Sequence, residues 1–138
     1  MTYDPNNIFA KILAGNLPCH RVYEDEHNLA FMDVMPQADG HTLVIPKRGS
    51  RNILDADPEV IGSLMAVVQK IARASQKAFA ADGVMIQQFN EAAAGQTVFH
   101  LHIHVLPRMT GVPLRPHTGK MADQTVLARH AEMIRSVL

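Results

Sequence analysis

The sequence predicts an antiparallel α+β domain with a five-stranded sheet, one long helix, a short N-terminal helix and a C-terminal helix. Five short apolar runs, each bounded by Gly, Pro, Asn or Asp, have the length and composition of β-strands. Residues 57–79 instead repeat apolar side chains at helical intervals, which predicts an amphipathic helix with one face on the sheet. At 138 residues, and with no internal repeat, the whole of 1–138 is assigned to one domain.

The first half of the chain is predicted to contain the short helix and three strands. Residues 7–14 have helical spacing of their apolar side chains, and Gly15 follows where a helix often ends. Three runs with strand composition come next: 20–24, 27–34 and 41–45, the last ended by Pro46. The first two of these strands are separated by acidic residues that suit a tight connection, which predicts a hairpin.

The second half begins with the long helix. Asp57 is expected to cap it, Pro58 suits its first turn, and Glu59 complements the helix dipole. Asp82-Gly83 ends it, and the remaining strands are predicted at 84–89 and at 97–106, the latter closed by Pro107. Residues 110–119 predict an irregular surface segment, and a last helix is expected to begin near Asp123.

Composition excludes several classes of function. Thirteen basic and thirteen acidic residues balance, so no overall positive field exists to hold nucleic acid or an anionic membrane surface. A small phosphate ligand held by local groups remains compatible with this balance. Cys19 is the single cysteine, which rules out an intramolecular disulfide and a cysteine-based metal cage. No stretch approaches the length of a membrane span, so we expect a cytoplasmic protein.

The most informative segment is His100-Leu101-His102-Ile103-His104, which holds three of the eight histidines. On a β-strand these histidines would share one face at about 6.6 Å spacing, while the aliphatic residues between them are buried on the other. A helix would separate His102 from the other two. The alternation therefore predicts a row of imidazoles, which suits either metal binding or phosphoryl chemistry.

The spacing alone does not choose between these two chemistries. Zinc needs three or four converging ligands, and no nearby pattern of carboxylates identifies the further ligands that it would need. The preceding loop favours phosphate, because Gly95 permits close backbone approach, Gln96 and Thr97 offer side-chain donors, and successive main-chain amides can face an anion. In that arrangement His102 would attack phosphorus.

The block 95–108, with its His-x-His-x-His motif followed by two apolar residues, resembles the histidine triad (HIT) family, in its Hint-like bacterial branch. Further segments are similar to the family in the same order: 7–12, 23–25, 30–33 and 41–47. The resemblance covers most of a core at 6–108 and leaves 109–138 as a C-terminal extension with a helix. It implies a HIT-like fold.

The resemblance also implies a nucleotide hydrolase or transferase that acts on the α-phosphate of nucleoside phosphoramidates or related conjugates, without a cofactor. It implies His102 as the nucleophile, His104 at the α-phosphate, His100 as the residue whose main chain orients the nucleophile, His41 as a fourth histidine, and Asp33 at the ribose hydroxyls. It implies further contacts to the phosphate from Asn90, Gln96 and Thr97, and to a purine base from Ile8, Phe9, Ile12, Phe31 and Met32. Family members pair through the long helix and a strand, which implies a homodimer.

The other histidines, His20, His27, His117 and His130, are interpreted as solvated or packing residues.

Two departures from the family pattern matter. Some bacterial relatives hold a structural zinc, and three of its four ligand positions are here Asn7, Ala10 and Gly49, so we predict no structural metal. The loop over 90–100 is one residue shorter than in the animal Hint branch, and it carries alanines where that branch has glycine. The alternatives are a dinucleoside polyphosphate hydrolase of the Fhit kind, a nucleotide-binding or scaffolding protein with incidental turnover, and a metal-binding module.

Overall fold

The computed structural model describes residues 2–116 and 120–138. Its elements in chain order are α1 (Ile8–Leu13), β1 (Arg21–Glu24), β2 (Asn28–Met32), β3 (Thr42–Pro46), α2 (Pro58–Ala78), β4 (Gly83–Gln87), a 3-10 turn (Ala92–Ala94), β5 (Ile103–Arg108) and α3 (Gln124–Arg135). The strands form one five-stranded antiparallel sheet in the order β1-β2-β3-β5-β4. The predicted α+β class with a five-stranded antiparallel sheet is therefore confirmed.

Both faces of the sheet are covered, which explains why β2 and β3 are buried throughout. Ala30 and Met32 face the main core, which α2 and α3 close. Leu29 and Phe31 face the opposite side and pack with Phe9 of α1 in a smaller cluster. Successive side chains of a strand point to opposite faces, so β2 contributes to two separate cores.

The helix ends follow local chemistry, with one correction. Asn7 caps α1 by accepting hydrogen bonds from Phe9 and Ala10, and Asp123 caps α3 at the predicted position. Asp57 stands at the N-cap position of α2, but its side chain makes no capping hydrogen bond. Its carboxylate instead lies 3.3 Å from the guanidinium of Arg48. The helix begins where predicted, but the predicted capping hydrogen bond from Asp57 is wrong.

The fifth strand was predicted to begin at residue 97, and this boundary is wrong. β5 begins at Ile103, because the residues before it bond elsewhere: the backbone amide of Leu101 donates to the carbonyl of Ser50 at 2.9 Å. Pro107 lies inside β5 opposite Val84 and does not close the strand. The missing amide is tolerated there because β3 pairs with β5 only as far as Val105.

The C-terminal part combines irregular and helical structure. Residues 110–116 contain no helix or strand, as predicted, and the remainder of that predicted segment, 117–119 with His117, lies outside the described residues. α3 follows and buries Leu127, His130, Ala131 and Ile134. Within the described ranges no helix has both the length and the apolar character needed to cross a bilayer.

Candidate active site

Strand pairing brings four histidines and one carboxylate into a small volume. His104 lies in β5 opposite Leu43, and His41 immediately precedes β3. Asp33 follows the end of β2, and its amide donates to the carbonyl of His41 at 3.0 Å. The predicted row of three histidines on one strand is corrected here, because His100 and His102 lie in the segment before β5. The rings of His102 and His104 are nevertheless neighbours, with centroids 5.1 Å apart.

Hydrogen bonds fix which nitrogens of His100 and His102 carry protons. Nε2 of His100 lies 2.9 Å from the carbonyl oxygen of Pro46, so it donates its hydrogen, and Nδ1 accepts from the hydroxyl of Tyr3 at 2.8 Å. Nδ1 of His102 lies 2.6 Å from the carbonyl oxygen of His100 and must also donate. In a neutral ring the lone pair of His102 is therefore on Nε2.

The Nε2 atom of His102 is reachable by solvent. It makes no hydrogen bond to any residue within 2–116 or 120–138, and it is not among the buried polar atoms that lack a partner. His102 as a whole residue is only 7% exposed. The ring thus stands in a largely buried position with its unprotonated nitrogen open.

His41 and His104 form a second hydrogen-bonded pair. The backbone amide of Gln37 donates to Nδ1 of His41 at 3.1 Å, so the hydrogen of His41 is on Nε2. That Nε2 lies 2.9 Å from Nδ1 of His104, which accepts. His104 therefore carries its hydrogen on Nε2, at the other edge of its ring.

Burial favours the neutral form of His100 and His102. Desolvation lowers the pKa of His102 below its ordinary value, while the hydrogen bond to the His100 carbonyl partly opposes that effect. Burial lowers the pKa of His100 in the same way, against the opposing effect of the Pro46 carbonyl. Neutral imidazoles are the form in which a ring nitrogen can act as a nucleophile.

Three of these side chains also have the composition of a metal site. Donor atoms of Asp33, His41 and His104 all lie within 4.8 Å of one another among the described residues. A cation bound by Nε2 of His41 would have to replace the hydrogen on that atom, while Nδ1 still accepts from Gln37. His41 would then carry no ring proton and would be an imidazolate. Histidine normally binds zinc as a neutral imidazole instead. The hydrogen-bond pattern thus favours a proton chain over a metal.

The segment before the triad is organised by Gln96, which is 4% exposed. Its Oε1 accepts from the amide of Glu91 at 2.8 Å and from Nδ2 of Asn52 at 3.1 Å. Its Nε2 donates to the carbonyls of Arg51 at 2.7 Å and Val98 at 3.0 Å. Gln96, which was expected to contact the phosphate, therefore uses its polar side-chain atoms to hold the loop together.

The expected anion-facing amides are also partly used within the loop. The amide of Gly95, at φ +101°, donates to the carbonyl of Ala92 at 3.0 Å. The amide of Gln96 donates to the carbonyl of Glu91 at 3.1 Å. Thr97 is exposed, and it keeps both an amide and a hydroxyl at the end of this loop. Of the predicted loop donors, Thr97 is therefore the one best suited to meet an anion.

Two further side chains fix the loop to the segment before α2. Oδ1 of Asn90 accepts from the amide of Ile53 at 2.9 Å. Glu91, which has φ +74°, forms a bidentate ion pair with Arg51. Nε and Nη2 of Arg51 donate to its two carboxylate oxygens at 2.8 and 2.9 Å. The hydrogen bond from Arg51 holds the pKa of Glu91 below its ordinary value. Sequence reasoning misses this pair, because its partners are 40 residues apart.

The apolar residues predicted to line a base pocket do not all lie together. The ring of Phe9 meets the edges of Phe31 and His102, at centroid distances of 5.5 and 5.0 Å. Ile12 packs in the same cluster, and Ile8 beside it is exposed. Met32 is misassigned: it is 1% exposed and faces the main core, because it follows Phe31 on a strand.

Two of the three positions at which the family resemblance implies zinc ligands, Asn7 and Gly49, are in contact with other protein groups. The side-chain oxygen of Asn7 caps α1. A Cβ at Gly49 would come within 2.5 Å of the Tyr3 ring, and Nδ1 of His100 bonds the Tyr3 hydroxyl. The sequence alone carried no indication of Tyr3, which is 97 residues from its partner.

Comparison with known proteins agrees with this architecture. The HIT domain family profile matches residues 14–111. A crystal structure of a Hit-like protein from Bartonella henselae, described as involved in cell-cycle regulation, shares 54% identity and a TM-score of 0.93, with 99% of each chain covered. A zinc-bound histidine triad family protein from Mycobacterium smegmatis shares 38% identity and a TM-score of 0.85, covering 96% of this chain and 92% of its own. Adenylylsulfatase HINT3 of Arabidopsis thaliana is 39% identical over 101 residues, which are 73% of this chain and 51% of that protein.

The fold and the histidine cluster define a protein of the histidine triad class. The chain belongs to the HIT family.

Proposed function

We propose that this protein cleaves nucleoside phosphoramidates or related nucleotide conjugates at the α-phosphate, through a nucleotidyl intermediate on His102. The observation that carries the proposal is the 2.6 Å hydrogen bond from Nδ1 of His102 to the carbonyl of His100. This bond assigns the lone pair to Nε2, which is the atom open to solvent. A neutral, oriented imidazole is a competent nucleophile toward phosphorus.

In the first step Nε2 of His102 forms a bond to the α-phosphorus while the bond from phosphorus to the leaving nitrogen or oxygen breaks. The leaving group takes its proton from solvent. The substituted ring becomes cationic, and the His100 carbonyl that accepts its Nδ1–H stabilises that charge. Water then attacks phosphorus and releases a proton, the electron pair returns to Nε2, and a nucleoside monophosphate leaves.

His104 is suited to contact the phosphate in both steps. Because His41 donates to its Nδ1, its Nε2–H is the donor that a non-bridging oxygen would accept. The chain from Gln37 through His41 holds both rings in one tautomer, so the donor needs no reorganisation during reaction. Thr97 supports the same phosphate from the loop.

The nucleoside is proposed to bind beside α1. A purine would contact Phe9, Phe31 and Ile12, with the exposed Ile8 at the rim. Asp33 is the proposed ribose ligand, since it is a carboxylate at the edge of the histidine cluster and can accept two hydroxyl hydrogen bonds. Asn90 and Gln96 support this site by holding the loop.

The proposal is tested by measuring kcat/KM for an adenosine phosphoramidate, a guanosine phosphoramidate and a dinucleoside polyphosphate. We expect the two phosphoramidates to be cleaved faster than the polyphosphate. Rapid quenching at neutral pH with a labelled nucleotide should then trap label on His102 by peptide mapping. Preference for the polyphosphate would support the Fhit-like alternative, and tight binding without any turnover would support a binding protein.

A homodimer and a cytoplasmic location complete the proposal, with no nucleic acid or membrane as partner. β4 pairs with β5 and lies at the sheet edge, and its residue Ile86 is 43% exposed. An edge strand of this kind can pair with its copy across a two-fold axis. We expect sedimentation velocity at micromolar concentration to give twice the mass of one chain, 15.2 kDa, whereas a compact monomer would contradict the dimer.

A further inference from the structure

We propose that Tyr3 is a positioning residue for the nucleophile, acting through His100. Its hydroxyl donates a hydrogen bond to Nδ1 of His100 and so holds the ring orientation of that residue, whose tautomer the Pro46 carbonyl sets. The backbone carbonyl of His100 in turn holds His102. This inference rests on the proposed function only in the step that assigns attack to His102.

The contact is specific and largely enclosed. The Tyr3 hydroxyl lies 2.8 Å from Nδ1 of His100, and the two rings meet edge to face at a centroid distance of 5.6 Å. His100 is fully buried, and its other nitrogen donates to the carbonyl of Pro46 at 2.9 Å. Without the hydroxyl, Nδ1 would be a buried acceptor that has lost its partner, a costly state for a polar atom.

The two contacts of the His100 ring have different effects, on its tautomer and on its orientation. A hydrogen on Nδ1 would leave an unprotonated Nε2 facing the Pro46 carbonyl, so that two lone pairs oppose each other. The Pro46 carbonyl can only accept, so it sets this tautomer, and the Tyr3 hydroxyl then donates to the unprotonated Nδ1 and holds the ring from its other edge. Loss of that donor removes one of the two restraints on the ring.

The chain around Tyr3 is built to admit its ring. Gly49 lies against it, and a Cβ at that position would come within 2.5 Å of the ring carbons and 2.8 Å of the hydroxyl oxygen. After Tyr3 the chain turns at once, because the carbonyl of Asp4 accepts from the amide of Asn7 at 3.3 Å and from its side chain at 2.8 Å. The segment leads directly into α1, whose Phe9 contacts His102.

These contacts join Tyr3 to the nucleophile in three steps. The hydroxyl orients the His100 ring, the ring is fixed to Pro46, and the His100 carbonyl receives the Nδ1–H of His102 at 2.6 Å. If the His100 ring loses this restraint and rotates, we expect its backbone carbonyl to move with it. His102 then loses part of its preference for an unprotonated Nε2, which lowers the rate of attack and leaves nucleotide binding in place.

The test is Tyr3→Phe, which keeps the ring and removes the hydroxyl, with Tyr23→Phe as the matched control. Tyr23 donates to Asp25 at 2.9 Å, outside the site. We expect Tyr3→Phe to lower kcat about tenfold, equivalent to about 1.4 kcal/mol of barrier, with KM changed less than twofold. The control should match the wild-type protein.

Two further measurements separate positioning from a general structural role. NMR should show a strongly downfield Nδ1–H proton of His102 in the wild-type protein, as expected for its short bond to the His100 carbonyl, and an upfield shift of that proton in Tyr3→Phe. Gly49→Ala keeps the hydroxyl but displaces the ring, so it should reproduce the kcat loss even where Tyr3→Phe folds poorly. An unchanged Nδ1–H resonance of His102 in the folded Tyr3→Phe protein, or an equal kcat loss in Tyr23→Phe, would overturn the inference. A wild-type protein without turnover would instead reject the proposed function, and the NMR measurement would still test Tyr3.

Discussion

His41 and His104, which are 63 residues apart, share a 2.9 Å hydrogen bond between Nε2 and Nδ1. The amide of Gln37 occupies the remaining nitrogen of His41, so the direction of this bond is determined. The same logic holds for His100 and His102, which are oriented by the carbonyl oxygens of Pro46 and His100. All four rings therefore have defined tautomers, and the backbone supplies most of the groups that define them.

Replacement of His102 by asparagine should abolish turnover while preserving binding. The amide has no nucleophilic ring nitrogen, so we expect kcat to fall by at least about a thousandfold, with nucleotide affinity within a few-fold. Steady-state kinetics and calorimetric titration with a nucleoside monophosphate measure the two effects. The exposed His27 offers a control, because His27→Asn removes an imidazole outside the site. Equal turnover in His102→Asn would reject the covalent mechanism.

Activity should extend to lower pH than an ordinary histidine would allow. Burial lowers the pKa of His102, so the neutral ring persists below the usual value of about 6.5. As pH falls through the lowered pKa, Nε2 gains a proton and can no longer attack. The kcat/KM profile between pH 4.5 and 8 should therefore be level near pH 6.5 and fall only in the more acidic range. An inflection above pH 6.5, with chemistry limiting, would contradict the buried, neutral nucleophile.

Removal of the Gln96 side chain should destabilise the fold. Gln96→Ala leaves the amide of Glu91 and the carbonyls of Arg51 and Val98 without their partner. Unsatisfied buried groups cost about 1–3 kcal/mol each, so we expect the free energy of unfolding to fall by about 2–4 kcal/mol. Urea denaturation measures this change. Gln69→Ala on the exposed face of α2 should stay within about 0.5 kcal/mol of the wild-type protein, and a similarly small effect at Gln96 would show that water replaces its bonds.

The purified protein should contain well under one metal ion per chain. Asn7 and Gly49 carry no ligand atom suited to zinc, and the hydrogen on Nε2 of His41 occupies the position that a cation between His41 and His104 would need. Elemental analysis after a chelator wash measures metal content directly. The zinc-bound relative from Mycobacterium smegmatis provides a positive control for the procedure. One zinc per chain here would show that the proton assignments are wrong.

The sequence alone was sufficient for the order and type of the main elements and for the central motif. Apolar periodicity distinguishes α2 from the strands, and it does so without any knowledge of tertiary contacts. The His-x-His-x-His motif and the residues around it were enough to indicate the family. These features are local, which is why a single sequence reveals them.

The tertiary structure decided what depends on contacts between distant segments. The amide of Leu101 bonds Ser50, so the triad segment leaves the sheet and β5 is shorter than its composition predicts. Met32 faces the main core because the paired sheet assigns each residue of β2 to one side. Gln96 and Tyr3 acquire their roles from partners 45 and 97 residues away. No local pattern encodes such pairings, because the chain must fold before the hydrogen bonds that fix the tautomers of His100 and His102 exist.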